Sequence, residues 1–334
     1  MSKIYFWFKN ARCISLPQSM LPAILSIGMS VHYDSFSWWL ALVALFGTEC
    51  AHLGMNLADD YFDYYEGSAE KRIRLASDGI RARVAKYPYL TSGTTSIEDL
   101  RQAIAVFVIL ALIAGSVVVS YHGLFPIAII IVAGGVLGIS YSGGPLRLGN
   151  RGYGELVVGI MFGPLLMLGM QYACCGVWDG ATLLVSIAVG LLVTNILYTH
   201  SVLDRSADTR MGKLTLAGLL AKRSFIAIVS AIFCFGPFLL VLIGTTTGLL
   251  PGSALLTLFL LPMAIYFCNS LWRYVYDLPV EPKSALWMGP MGDFSSYCEA
   301  GIGWFMMRWL LARNLISFFA LILLISSLID LFIE

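Results

Sequence analysis

The sequence predicts an all-α fold, that of a polytopic membrane protein. Of the 334 residues, 58% are hydrophobic and 12% are charged, whereas an ordinary soluble domain has roughly 45–50% apolar and about 25% charged residues. The mean hydropathy is +0.81, and the apolar runs are continuous rather than alternating, which favours helices over membrane strands. This composition excludes a soluble enzyme and a disordered chain. A formal net charge of +1 excludes a nucleic-acid partner, because no basic field attracts phosphate.

Nine apolar segments are each interpreted as one membrane-spanning helix of about 20 residues. In order, they are residues 16–31, 37–53, 103–120, 124–141, 156–174, 181–198, 224–242, 254–270 and 315–332. No low-complexity run or linker divides them, so residues 1–334 are predicted to form a single integral-membrane domain. The loops 63–102 and 271–313 are too long to be simple connectors, and their mixed charges and aromatic residues predict ordered structure.

The basic residues lie on one side of the predicted spans. All 21 Lys and Arg residues fall in the N-terminal segment or after the second, fourth, sixth and eighth spans. The intervening loops, 32–36, 121–123, 176–180 and 244–252, contain none. The positive-inside rule therefore predicts a cytoplasmic N-terminus and an external C-terminus.

Carboxylates are concentrated at the predicted cytoplasmic ends of the second and sixth spans. If the second helix continues, Asn56, Asp60 and Asp63 share one face at positions i, i+4 and i+7. Asp204 and Asp208 are also four residues apart and share a face. Like charges at this spacing repel each other, and divalent cations remove the repulsion. Because all the ligands are oxygens, the pattern predicts Mg²⁺, which completes its shell with water and phosphate oxygens.

Two such clusters facing each other would hold a diphosphate through metal ions. Arg205, Arg210 and Lys213 lie beside the second cluster and are predicted to contact phosphate oxygens directly. A secondary transporter is the alternative, but transporters place their acids near the bilayer midplane, often in broken helices. Here both clusters end unbroken spans beside basic residues. A non-catalytic scaffold leaves the acidic faces unexplained.

Three motifs resemble those of the UbiA superfamily of intramembrane prenyltransferases, and most closely its menaquinone branch, the 1,4-dihydroxy-2-naphthoate polyprenyltransferases. Residues 56–67 read NLADDYFDYYEG, residues 141–155 read YSGGPLRLGNRGYGE, and residues 212–217 read GKLTLA. They are similar to that branch's NLANDYFDYxxG, YxGGPxPLGYRGLGE and GKRTLA. The resemblance runs from about residue 12 to about residue 223.

The resemblance implies nine helices around a central cavity, capped by cytoplasmic loops and surrounded by membrane lipid, in a bacterial inner membrane. It implies Mg²⁺, a polyprenyl diphosphate donor and an aromatic acceptor. The diphosphate leaves, an allylic carbocation forms, and an aromatic carbon attacks it; in the menaquinone branch the acceptor also loses a carboxylate. The implied metal ligands are Asn56, Asp60, Asp63, Asp204 and Asp208. The implied catalytic residues are these four aspartates and Tyr141. The implied substrate-binding residues are Arg12, Asn56, Lys86, Arg147, Arg151, Arg205 and Lys213.

The chain departs from the branch in the loops around the site. Upstream of Asp204 it lacks the branch's Asn-rich run, and the nearest asparagine is Asn195. The segment 71–89 is longer and more basic than the corresponding segment of the branch, and the segment 278–298 does not match the branch pattern. Another acceptor, such as 4-hydroxybenzoate, is therefore the alternative within the superfamily.

Overall fold

The computed structural model describes residues 3–65, 67 and 87–330. Within these residues all regular secondary structure is helical, and the β-type pairing is limited to an isolated bridge between Arg151 and Leu214. The predicted all-α fold is confirmed. Half of the predicted loop 63–102, namely residues 66 and 68–86 with Lys86 among them, lies outside the described residues.

Fourteen helices are numbered here in chain order. They are α1 (Lys3–Asn10), α2 (Pro17–Ser30), α3 (Trp38–Tyr65), α4 (Pro88–Thr91), α5 (Ile97–His122), α6 (Leu124–Ser142), α7 (Gly154–Cys175), α8 (Gly180–Leu203), α9 (Arg205–Arg210), α10 (Leu216–Leu219), α11 (Arg223–Thr246), α12 (Gly252–Val275), α13 (Phe294–Glu299) and α14 (Gly303–Asp330). In the described part of the chain, eight of them are long and apolar enough to cross a membrane: α3, α5, α6, α7, α8, α11, α12 and α14. The protein is therefore an integral, multi-pass membrane protein.

The first predicted span, residues 16–31, is present as the shorter helix α2. Its 14 residues extend over roughly 21 Å at 1.5 Å per residue, which is less than the hydrocarbon core of about 30 Å. The helix is nevertheless part of the bundle, because Ser26 is buried and donates a hydrogen bond to the carbonyl oxygen of Met167 on α7 at 2.6 Å. This helix is the one predicted span that falls short of full membrane length in the described chain.

Two spans extend furthest beyond the segments that the hydropathy pattern predicts. Helix α3 continues past residue 53 to Tyr65, so the first acidic motif is helical, as its spacing requires. Helix α14 begins at Gly303 rather than at residue 315. The reason is that Arg308, although charged, is buried inside the helix end and donates to the carbonyl oxygens of Ser270 and Trp304.

Helices α7 and α8 pack backbone against backbone. A Cβ atom added at Gly163 would lie 2.5 Å from the carbonyl oxygen of Ser186 and 2.6 Å from the Cα atom of Gly190. Only glycine permits this approach. It brings the beginning of α7 close to the last turns of α8, where the polar groups of the site lie.

A small aromatic cluster covers the C-terminal end of α3. Tyr87 and Tyr89 are buried there together with Leu57. Phe6 and Trp7 of α1 meet Tyr89 edge to face, with ring centroids 6.2 and 5.8 Å away. The N-terminal segment and α4 are therefore held over the first acidic motif.

Candidate active site

A cavity of about 1180 Å³ opens between α3, α5, α6, α7 and α8. Its interior is lined largely by apolar side chains and glycines, including Val108, Leu112, Ile131 and Gly135. Its polar end, which we call the mouth, is lined by the N-terminal segment, the end of α3 and the loops after α6 and α9. The volume exceeds the roughly 300–1,000 Å³ of typical small-ligand sites, so a long apolar chain and a second molecule can be accommodated together.

The first acidic motif lines the mouth. The side chains that reach it from α3 are Asn56, Asp59, Asp60 and Asp63. Asp60 is buried, and Asn56 donates to the carbonyl oxygen of Ala11 at 3.0 Å. The predicted face of Asn56, Asp60 and Asp63 is thus present on one continuous helix.

Arg12 binds this acidic motif from the N-terminal segment. Its guanidinium donates to Asp59 at 2.9 Å and also to Asp60. Burial disfavours the positive charge, but the two carboxylates outweigh that effect and raise the pKa of Arg12 above its ordinary value. Arg12 therefore remains charged and compensates the negative charge of the motif.

Two tyrosines from the segment before α5 close over the end of α3. The Tyr89 hydroxyl donates to Asp60 at 2.8 Å, and the Tyr87 hydroxyl donates to the carbonyl oxygen of Asp63 at 3.1 Å. Burial and the neighbouring Asp60 carboxylate raise the pKa of Tyr89, so its hydroxyl keeps its proton. Sequence reasoning missed Tyr89, because it lies 29 residues from Asp60 and no spacing rule connects the two positions.

Tyr141 and Ser142 end α6 at the mouth. The Ser142 hydroxyl donates to Asp59, which joins α6 to α3. Tyr141 lines the cavity and lies within electrostatic range of a carboxylate from each acidic motif, Asp59 and Asp208. Gly149 packs against its ring, since a Cβ atom there would lie 3.3 Å from Tyr141 Cζ. Tyr141 is therefore held in the cavity lining, directly before the residue that binds Asp59.

The second acidic motif lies outside the cavity lining. Asp204 follows the last residue of α8, with a carboxylate oxygen 3.6 Å from His200 Nδ1, and Asp208 is buried in α9. Among the described residues that line the cavity, the chain around this motif contributes His200, Ser201, Met211, Gly212, Lys213 and Thr215. Residues on both sides of the second motif thus line the cavity, while Asp204 and Asp208 themselves are not among the lining residues.

A buried glutamate ties the loops of the mouth together. Glu155 Oε1 accepts hydrogen bonds from the Ser201 hydroxyl at 2.5 Å and from the Leu216 N–H at 3.1 Å. The Leu214 N–H donates to the carbonyl oxygen of Asn150 at 3.2 Å, which links the loop after α6 to the loop after α9. In the sequence, Glu155 is only the last residue of the motif 141–155, and no local pattern predicts its structural role.

The predicted substrate-binding cations fall in three places. Those that line the mouth with Arg12 are Arg147, Arg151 and Lys213. Arg205 instead donates to the carbonyl oxygen of Leu220 at 3.0 Å and is not part of that lining. Its contact holds the chain that leads from α9 to α11. Lys86 lies outside the described residues.

The donor chemistry of the mouth fits Mg²⁺. Its α3 side chains offer amide and carboxylate oxygens, the ligands that hard cations prefer. Within the described ranges, no three His, Cys, Asp or Glu side chains are gathered into a ready-made metal group, and Asp60 is hydrogen-bonded to Arg12 and Tyr89. Mg²⁺ commonly takes only one or two protein carboxylates and substrate phosphate oxygens, so a bound diphosphate would complete such a site.

This fold and this site define the class of membrane-embedded prenyltransferases. Residues 19–289 match the model of the UbiA prenyltransferase family, and the chain belongs to that family. The protein is therefore a prenyltransferase rather than a transporter.

Curated relatives share much of the chain. The 1,4-dihydroxy-2-naphthoate octaprenyltransferase of Mycobacterium tuberculosis is 31% identical over 222 residues, which cover 65% of this chain and 70% of the relative. The enzyme of the same name from Bacillus subtilis is 26% identical, with 66% and 67% covered. The 2-carboxy-1,4-naphthoquinone phytyltransferase of Synechocystis is 25% identical over 84% of this chain and 88% of its own.

Solved structures share the fold over almost the whole chain. A digeranylgeranylglyceryl phosphate synthase has a TM-score of 0.65 at 12% identity, covering 98% of this chain and 99% of its own. A UbiA homologue from Archaeoglobus fulgidus, bound to GPP and Mg²⁺, has a TM-score of 0.56 at 13% identity, covering 93% and 99%. At these identities the likeness establishes a common helical fold.

Proposed function

We propose that this protein transfers a polyprenyl group from polyprenyl diphosphate to 1,4-dihydroxy-2-naphthoate, in a Mg²⁺-dependent reaction of menaquinone biosynthesis. The observation that carries the proposal is one cavity in which an acidic, arginine-containing mouth leads into a long apolar interior. The names of the curated relatives support the acceptor.

The donor is proposed to lie with its diphosphate in the mouth and its chain in the interior. Arg12 and Lys213 would contact phosphate oxygens, and the apolar wall formed by α5 and α6 would hold the isoprenoid chain. The residues proposed to hold Mg²⁺, directly or through water, are Asn56, Asp60, Asp63, Asp204 and Asp208. Bound Mg²⁺ would supply charge stabilisation to the leaving diphosphate.

The reacting carbon is proposed to lie beside Tyr141. An allylic cation needs an electron-rich face and the absence of nucleophilic water. Tyr141 lines the cavity next to Ser142, which binds Asp59 of the mouth, and about one helical turn from Gly138 of the same lining. Its ring can stabilise the cation, while the buried Asp60–Tyr89 pair closes the mouth on the side of α4.

The acceptor's carboxylate is proposed to bind Arg147 or Arg151, with Lys86 as a third candidate. Both arginines line the mouth, and arginine pairs with carboxylates through two parallel hydrogen bonds. The flat aromatic rings would then extend toward Tyr141.

We further propose that residues 1–334 form one domain in a bacterial inner membrane, with the N-terminus in the cytoplasm. The segregation of all 21 basic residues supports that orientation.

The decisive experiment is an acceptor assay with purified protein in lipid nanodiscs. A labelled geranylgeranyl diphosphate is supplied with Mg²⁺ and either 1,4-dihydroxy-2-naphthoate or 4-hydroxybenzoate. We expect a decarboxylated, prenylated naphthalenediol, and we expect Arg147→Gln to raise the acceptor KM while leaving the donor KM nearly unchanged. A preference for 4-hydroxybenzoate would contradict the acceptor assignment while leaving the family assignment intact.

A further inference from the structure

A second polar cluster lies in the wall of the cavity, one to two helical turns deeper along α3 than Asn56. It consists of Ser19 from α2 and of Glu49 and His52 from α3. His52 lines the cavity, Ser19 is completely buried, and Phe162 covers the imidazole at a ring-centroid distance of 4.9 Å. Ionisable groups at such a depth are costly, and they commonly mark functional sites in membrane proteins.

The hydrogen bonds of Ser19 determine which atoms donate and which accept within this cluster. Ser19 has a single hydroxyl hydrogen to donate. Its Oγ atom is 2.7 Å from Glu49 Oε2 and 3.0 Å from the carbonyl oxygen of Leu16. The Glu49 carboxyl oxygen is the closer of the two acceptors. Ser19 Oγ is also 2.7 Å from His52 Nδ1. Because Ser19 donates its only hydroxyl hydrogen to Glu49, the contact with His52 is a hydrogen bond only if Nδ1 carries a hydrogen and donates it to Ser19 Oγ.

The second nitrogen of His52 is thereby left as an acceptor. A neutral imidazole protonated at Nδ1 has a lone pair on Nε2. Nε2 is 3.3 Å from the Ser15 hydroxyl, but Ser15 has a shorter contact as donor, 2.8 Å to the carbonyl oxygen of Arg12. Nε2 can therefore accept a hydrogen from a molecule inside the cavity. Glu49 Oε1 is buried and has no hydrogen-bond partner among the described residues, and Ser19 connects this carboxyl group to the imidazole.

We infer that Glu49, Ser19 and His52 form a proton relay that activates a hydroxyl of the aromatic acceptor, an inference that rests on the proposed function. His52 Nε2 takes the hydroxyl proton, and the electron pair of the O–H bond enters the ring. The diphosphate leaves with the electron pair of the C1–O bond, and the ring carbon that bears the carboxylate then forms the new bond to C1 of the prenyl group. When the carboxylate departs as CO₂, its bonding electrons restore the aromatic ring and the oxygen regains its proton from His52. His52 is the catalytic residue, and Ser19 and Glu49 are positioning residues.

The test measures kcat for His52→Gln, Ser19→Ala and Glu49→Gln with geranylgeranyl diphosphate and two acceptors. One acceptor is 1,4-dihydroxy-2-naphthoate, and the other is a ring-fluorinated analogue whose hydroxyl is more acidic. A positioned base typically contributes about 10²- to 10⁴-fold, so we expect His52→Gln to lower kcat for the first acceptor by about 100-fold or more. The loss should be smaller for the fluorinated acceptor, which gives up its proton more readily. Ser19→Ala and Glu49→Gln should follow the same trend with smaller losses, and the donor KM should not change.

His122→Gln is the matched control, because His122 lies at the far end of α5, where its ring contacts the carbonyl oxygen of Ala173 at 3.2 Å. It should retain wild-type kcat with both acceptors. Wild-type kcat in His52→Gln, or an equal loss with both acceptors in all three variants, would overturn the relay. Absence of naphthoate product in the wild-type assay would instead overturn the proposed function, so the two failures are distinguishable.

Discussion

Ser201 donates a hydrogen bond of 2.5 Å to the buried carboxylate of Glu155. The same carboxylate oxygen accepts the backbone N–H of Leu216 at 3.1 Å. Glu155 lies in the first turn of α7, Ser201 in the last turn of α8, and Leu216 begins α10. One carboxylate therefore joins three elements around the mouth, and it fixes the chain only three residues after Lys213.

Removing this carboxylate is expected to weaken both the fold and the site. In Glu155→Ala the Ser201 hydroxyl and the Leu216 N–H lose their acceptor. A buried donor without a partner costs roughly 1–3 kcal/mol, so the free energy of unfolding should fall by about that amount in a denaturant titration of the solubilised protein. The donor KM should rise as well, because the loop of Lys213 loses its attachment.

Glu98 provides the control for this substitution. Its side chain is 61% exposed at the start of α5, where it pairs with Arg101, and exposed substitutions of this kind usually change stability by less than about 0.5 kcal/mol. If Glu155→Ala is no more destabilising than Glu98→Ala, the joining role of Glu155 is wrong.

The helical part of the site could be predicted from the sequence because it depends on periodicity. The spacing of Asn56, Asp60 and Asp63 places them on one face of any helix that contains them, and α3 does continue through them to Tyr65. The apolar runs likewise predicted the spans, apart from the short α2 and the early start of α14.

The remaining part of the site depends on contacts between distant segments. Tyr89 reaches Asp60 only because α4 folds back over α3, and Ser19 meets His52 only because α2 packs beside α3. Spacing also does not predict which side chains are buried and which reach the cavity. Asp208 is predicted to share a face with Asp204, and it is buried in α9, whereas Lys213 lines the cavity. Such relationships follow from packing and have no local sequence signal.

Loss of Mg²⁺ should abolish activity, because the mouth provides oxygen ligands suited to that ion. EDTA should remove turnover, and added Mg²⁺ should restore it. Asp60→Asn should lower kcat/KM by about 100-fold or more, since stabilising a leaving group through a metal is worth several kcal/mol and each 1.36 kcal/mol corresponds to tenfold. Asp293→Asn, at an exposed helix cap, is the control. Undiminished turnover in EDTA would disprove the metal proposal.

The predicted orientation can be checked with a native cysteine. Cys298 is the exposed cysteine of the described residues and lies between α12 and α14, on the predicted cytoplasmic side. Gly252 is exposed at the other end of α12, so Gly252→Cys in a Cys298→Ser background reports on the opposite side. In intact cells, a membrane-impermeant maleimide should label the Gly252→Cys variant. It should label Cys298 of the unmodified protein only in inverted vesicles. The Cys298→Ser variant alone gives the background labelling. Labelling of both positions from one side would contradict the topology.

The length of the prenyl chain should be limited by the glycines of α6. Gly135 lines the cavity, and a Cβ atom there would meet nothing within 4 Å, so a larger side chain at this position projects into open space of the apolar interior. In Gly135→Phe a long donor must displace the new ring, and such overpacking typically costs about 1–3 kcal/mol. We therefore expect kcat/KM for a long polyprenyl diphosphate to fall by roughly tenfold or more, while geranyl diphosphate, whose short chain stays near the mouth, is little affected. Gly252→Phe adds the same ring at an open position outside the cavity and should leave the ratio of the two donors unchanged. An equal loss for short and long donors in Gly135→Phe would show that the chain does not run along α6.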